Sequence, residues 1–103
     1  MPQRESFFKH RVTRPVALHN SEARRFELTV DGLLCECSYQ LQGNVMVITH
    51  TGVPRALEGR GIAAALVQAA LAWAQAQGLR VQPLCSYVSA YMQRHPDTLA
   101  LLA

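Results

Sequence analysis

The chain has 103 residues, half of them apolar and 17% charged, enough for one hydrophobic core, too short for two, and too apolar for a disordered segment. No apolar run approaches the roughly 18 to 20 residues of a membrane span, and the Arg-containing N-terminus lacks the apolar stretch of a secretion signal, so a cytoplasmic protein is expected. The net charge of +3 is uneven: residues 1–25 hold Arg4, Lys9, Arg11, Arg14, Arg24 and Arg25 against Glu5 and Glu22.

That basic excess can signal nucleic acid, but a chain with a single lysine and no RNA-type aromatic platform is not expected to bind it. Residues 1–15, interrupted by Pro2 and Pro15, read as a flexible basic tail, and residues 16–103 as a single domain. The cysteines Cys35, Cys37 and Cys85 are odd in number, which argues against a disulfide framework in a chain without a secretion signal. Cys35 and Cys37, two apart in an extended stretch, share a face and read as small buried hydrophobes.

Up to residue 24 no steady period emerges. From there Phe26, Leu28 and Val30 alternate with Arg25, Glu27 and Thr29, the two-residue period of a half-buried strand, and Asp31-Gly32 marks a hairpin turn. The return strand alternates too, with Leu33, Cys35, Cys37, Tyr39 and Leu41 on one face. After Gly43-Asn44 a third, β-branched strand runs from Val45 to Val53, completing an antiparallel meander. From Glu58 the period becomes helical, with Ile62, Leu66, Ala70 and Ala74 as one stripe and Ala63, Val67 and Leu71 as its neighbour, until Gly78 stops it. Leu79–Leu84 reads as a fourth strand, parallel to the third across a right-handed crossover. Ser86 is a candidate cap for a short second helix to Arg94, and Pro96 ends it. Asp97 is a candidate cap for a docked C-terminal turn carrying Leu99, Leu101 and Leu102. The fold class expected is α+β, one layer of sheet against helices.

The stretch with most chemical content is Val53 to Ala63, a strand end and glycine loop opening a long helix. Glycines allow close backbone approach, and the free N–H groups and positive dipole end of a helix suit phosphate. The alternative is that Gly59, Gly61 and Ala63 let the helix pack tightly on the sheet. No Gly-Lys-Ser/Thr follows, which excludes a Walker loop, and no acid suitable for a dinucleotide site follows the next strand. Cys85, between the fourth strand and a helix start, is either a thiol whose pKa the helix N–H groups lower or a buried strand-end residue. His50 is either a general base or, alternating with Ile48 and Met46, a satisfied core residue. Tyr87 and Tyr91, one helical turn apart, either face a pocket or serve packing, while Trp73 reads as packing. His10, His19 and His95 show no ligand spacing with a Cys or carboxylate, so no metal site is expected.

These residues carry a family resemblance. The meander, Val53-Pro54, Gly59-Arg60-Gly61-Ile62-Ala63 and the following helix resemble the acetyl-CoA-binding core of the GNAT superfamily of N-acetyltransferases. Arg25-Phe26-Glu27-Leu28, Val30-Asp31-Gly32, His50-Thr51, Cys85-Ser86-Tyr87-Val88, Tyr91 and His95-Pro96 resemble, more narrowly, its short single-domain YjdJ-like (NATD1-like) branch. The family pattern of Arg or Gln, two residues, Gly, one residue, then Gly or Ala falls on Gly61 and Ala63, with Glu58 in the first place. A carboxylate beside a pyrophosphate is unfavourable, so Glu58 is expected to point away or to meet Arg55 or Arg60.

The resemblance implies a minimal GNAT fold whose third and fourth strands splay where coenzyme A inserts. It assigns Thr51, Val53, Glu58, Gly59, Arg60, Gly61, Ile62, Ala63 and Tyr91 to acetyl-CoA binding, and Cys85, His50 and Tyr87 to chemistry. Cys85 would serve as nucleophile or as proton donor to the departing thiolate. The activity implied is transfer of an acetyl group to a primary amine: a protein lysine, an N-terminus or a small amine. A non-catalytic coenzyme-binding or protein-interaction module is the alternative, and a monomer or weak dimer is expected.

Overall fold

A computed structural model describes residues 16–103; the expected tail over 1–15 lies outside the described residues. The chain runs through five strands, β1 (Leu18–Asn20), β2 (Arg25–Val30), β3 (Leu33–Gln42), β4 (Val45–Gly52) and β5 (Arg80–Pro83). Two α-helices, α1 (Ile62–Ala76) and α2 (Ser86–Arg94), follow β4 and β5, with 3-10 turns at Arg55–Leu57 and Pro96–Leu101. The strands lie side by side in sequence order; β1 to β4 are antiparallel and β5 joins β4 in parallel, with α1 as the crossover.

The turns follow from their residues. Asp31 and Gly32 both hold positive φ, at 52° and 76°, as the two-residue hairpin between β2 and β3 requires. Gly43, at φ 60°, stands first in the β3–β4 turn, where only glycine is unstrained. The Gly78 expectation holds as well: it carries φ 72° directly after Gln77, the C-terminal cap of α1.

One face of the sheet is covered. Ile62, Leu66, Val67, Ala70, Leu71 and Ala74 of α1 are buried against Phe26, Leu28, Cys35, Cys37, Tyr39, Met46, Ile48 and Val81, and each large side chain so buried contributes about 1.5–3 kcal/mol. Cys35 and Cys37 are wholly inside, as their spacing predicts. Their face is apolar only in the middle, since Leu33 and Leu41 at the ends of β3 are exposed. The opposite face is polar, and there Arg25 pairs with both Glu27 and Glu36.

Four expectations need correction. Strand β1 exists where no period was visible, because a single aromatic-packing residue, His19, sets it on the core: the imidazole stacks on Phe26 with centroids 4.2 Å apart and lies edge-on to Trp73 at 4.5 Å. The Tyr39 hydroxyl and His19 Nε2 are hydrogen-bonded at 2.6 Å. The long helix begins at Ile62 rather than Glu58, with left-handed Gly61 as its cap. Cys85, not Ser86, caps α2, and Ser86 is its first helical residue. The C-terminal turn is capped by His95 rather than Asp97 and closes with Leu102 bridging Val81 alongside β5.

Candidate active site

Strand β4 carries one extra residue. Ser38 of β3 faces His50 while Tyr39 faces Ile48, so Thr49 is a β-bulge. Side chains alternate along a strand, and an inserted residue reverses the alternation beyond it. Met46 and Ile48 therefore point into the core, Thr51 points the same way opposite Cys37, and His50 is exposed on the other face. The reading of His50 as a core residue alternating with Ile48 is thus overturned: its Nε2 lies over Gly52, where an added Cβ would sit 2.8 Å away.

The β4–β5 ladder stops at the bulge. Its last pair is Ile48 with Pro83, and the N–H groups of Leu84 and Cys85 both donate to the Ile48 carbonyl, at 3.0 and 3.2 Å. Beyond this point β4 runs on to Gly52 with no β5 partner while the other chain turns into α2. The expected splay has this local cause.

Beside the parted strands is a hollow of about 430 Å³. Its walls are Thr51 at the end of β4 and Val53 just beyond it, the loop residues Leu57, Glu58, Gly59 and Gly61, the first turn of α1 from Ile62 to Ala64, and Tyr87 of α2. Leu57, almost fully buried, pins the loop beneath it. Gly59 and Gly61 adopt φ 85° and 78°, and a Cβ on either would meet nothing within 4 Å. The helix-packing explanation of these glycines therefore fails, and the left-handed backbone is their reason. Ala65 is the first residue of α1 whose N–H bonds back, to Gly61 at 3.1 Å. The N–H groups from Gly59 to Ala64 have no backbone acceptor among the described residues, leaving a row of donors at the positive end of a 15-residue helix.

Arg60 does not meet Glu58. Its guanidinium reaches Asp31 in the β2–β3 turn at 3.2 Å, an exposed pair that ties the loop to the hairpin. Glu58 is exposed among the residues that line the hollow, and among the described residues it forms no ion pair with Arg55 either. Tyr91 does not reach this hollow; it is buried between α1 and α2, stacks on His95 at 4.0 Å and lines a separate groove with Leu71 and Leu101.

Cys85 stands at the mouth of α2, half-buried, its Sγ 3.6 Å from Thr51 Oγ1. Burial opposes its ionisation, but the N–H of Val88, the Thr51 hydroxyl and the N–H groups of Tyr87 and Thr51 outweigh it, holding the thiol below its ordinary value. Cys37 lies 3.9 Å from the far side of the same hydroxyl, and burial pushes its thiol up to about 11. The Thr51 side-chain contacts had no signal in the sequence, since they join positions 34 and 14 residues apart. Among the described residues no cluster suits a metal ion, and no helix is long and apolar enough to cross a membrane.

Comparison with known proteins matches this geometry. The model of the GCN5-related N-acetyl-transferase family matches residues 25–101. The chain is similar to Protein NATD1 of Mus musculus and of Gallus gallus, each 32% identical over 81 residues, covering 76% of this chain and 74% of the relative. It is equally similar to Protein NATD1 of Homo sapiens, at 32% over 81 residues and 72% of that protein. An NMR structure of a GCN5-like putative N-acetyltransferase from Staphylococcus aureus shares the fold, with a TM-score of 0.65 and 24% identity over 78% of this chain and 81% of that one. The family match extends from β2 through the bulged strand, the glycine loop and α2 to the C-terminal turn, and by it the chain belongs to the GCN5-related N-acetyltransferase family.

Proposed function

We propose that this chain moves an acetyl group from acetyl-CoA to a primary amine: a protein lysine, an N-terminus or a small amine. One observation carries the reading. A single hollow joins a row of N–H groups without a backbone acceptor among the described residues, from Gly59 to Ala64, to the wall where Thr51 meets the Cys85 thiol. Phosphate oxygens suit the first feature, and a thioester at the end of an extended arm suits the second. The unpaired edge of β4 beyond Ile48, with Thr51 and Val53, offers main-chain groups to the amides of that arm.

The bound coenzyme supplies an activated acyl carbon. Cys85, behind Thr51 on the wall of the hollow, either takes that acyl group as a nucleophile or gives a proton to the departing thiolate, and Tyr87, which lines the hollow, is a second proton donor. His50 faces the other side of β4, where it is open to solvent and able to take a proton from an amine that enters through the gap. Glu58 among the lining residues favours a second reading, a module that binds the coenzyme without turning it over, because a carboxylate there opposes a pyrophosphate.

Thermal shift with acetyl-CoA, followed by CoA release in the presence of lysine peptides and polyamines, separates the two. The expected result is stabilisation with amine-dependent CoA release, and at least about a tenfold loss of turnover in Cys85→Ala with binding retained. Stabilisation without release supports the binding module. No stabilisation by acetyl-CoA or CoA in the folded chain overturns both.

A further inference from the structure

Cys37 is the buried nucleophilic group for which the acetyl-transfer reading has no use. It lies in the middle of β3, fully inside, yet directly across from Thr51, whose hydroxyl is within reach of both cysteines. Three elements are needed to make this contact: β3 supplies Cys37, β4 supplies Thr51 by virtue of the Thr49 bulge, and the start of α2 supplies Cys85. Thr51 also lines the hollow, so the line of sulfur, oxygen and sulfur runs from the core to the wall of the site.

We propose that Cys37, Thr51 and Cys85 form a hydrogen-bond relay that favours ionisation of Cys85, with Thr51 as the positioning residue; this rests on Cys85 being the reactive group of acetyl transfer. With both thiols protonated, Cys85 donates to Thr51 Oγ1 and the Thr51 hydroxyl donates to Cys37 Sγ, the arrangement the distances of 3.6 and 3.9 Å describe. When the Cys85 proton leaves to solvent, the Thr51 hydrogen turns to the new thiolate, and the Cys37 S–H turns to Thr51 Oγ1. No bond to carbon changes, and every hydrogen keeps an acceptor. Cys37 suits the rear position because burial keeps it a thiol, and hence a donor, at neutral pH.

The groups that act on Cys85 are neutral. From α2 they are the N–H groups of Tyr87 and Val88, and from β4 the N–H and hydroxyl of Thr51; no charged side chain of the described residues takes part. Tyr87 and Glu58 are the titratable residues on the hollow, Cys37 is the one beneath Thr51, and His50 lies on the opposite face of its strand. With no cation to hold the thiolate, the hydroxyl is the component that a side-chain change can remove.

The test is the pH profile of Cys85 alkylation by iodoacetamide in the full chain, with the modified residue mapped by mass spectrometry and no coenzyme present. Thr51→Val keeps the shape of the side chain and removes its hydroxyl; the profile is expected to move to higher pH, with alkylation at pH 7 slowed about three- to tenfold, since one pKa unit is a tenfold change in thiolate. Thr51→Ser restores the wild-type profile, and Cys37→Ala shifts it in the Val direction by less. A folded Thr51→Val chain whose profile superimposes on the wild type, or a Thr51→Ser chain as slow as the Val variant, overturns the relay. Because alkylation is read without acetyl-CoA, a chain that releases no CoA yet shows this pattern supports the relay while the acetyl-transfer reading falls.

Discussion

Replacing Gly61 by alanine isolates the backbone demand of the glycine loop. Gly61 caps α1 at φ 78° and ψ 13°, and an added Cβ meets no atom within 4 Å. A clash therefore contributes nothing, and the cost is that of a left-handed backbone for an L-residue, about 1–2 kcal/mol. Alanine also stiffens the unfolded chain, which returns about 0.4–1 kcal/mol. The net loss is about 1 kcal/mol, or a fall in Tm of about 4–8 °C for a domain of this size. Asparagine tolerates the same conformation better, so Gly61→Asn should fall by less. Thermal unfolding followed by circular dichroism, checked by urea midpoints, reads both variants. An alanine variant as stable as the wild type, or an asparagine variant that loses as much as alanine, would refute the assignment of this glycine to conformation.

Two further predictions follow from burial and from charge. Burial among Phe26, Tyr39 and Trp73 lowers the His19 pKa from its usual 6.5, so below that pH the unfolded chain takes up a proton that the folded chain refuses. The stability due to neutral His19 is complete above pH 6.5 and is lost as pH falls through the folded value; urea midpoints between pH 7.5 and 5.5 should decline in the wild type and flatten in His19→Gln, and parallel curves would refute the anchor. Glu58→Gln removes an exposed like charge from the hollow and should tighten acetyl-CoA about two- to fivefold by calorimetry. Unchanged or weaker binding would place the phosphates elsewhere.

Most of the meander was legible because its signals are local. Asp31-Gly32 and the alternation around Phe26 and Leu28 act within a few residues, as does the 3.6 period from Ile62 to Ala74. Strand β1 was not, because three residues show no period and its anchor is an aromatic cluster assembled from β2, β3 and α1. The bulge was equally silent, since Thr49 is an ordinary β-branched strand residue with no glycine or proline beside it. That silence is why simple alternation left His50 open to a core reading beside Ile48 and Met46. Gly59 and Gly61 were legible as special positions, but their purpose needed coordinates showing free space where a Cβ would lie.

The bulge at Thr49 makes β4 a strand of two registers, and so of two sets of physical constraints. Upstream, Met46 and Ile48 answer to the volume of the core; downstream, Thr51 answers to the sulfur it touches and His50 to whatever approaches from solvent. Deleting Thr49 would remove the bulge and leave Thr51 facing inward, two residues after Ile48, whereas straightening the strand at its present length would turn His50 inward in its place. The bulge, as much as the composition of the strand, therefore specifies which side chain meets Cys85.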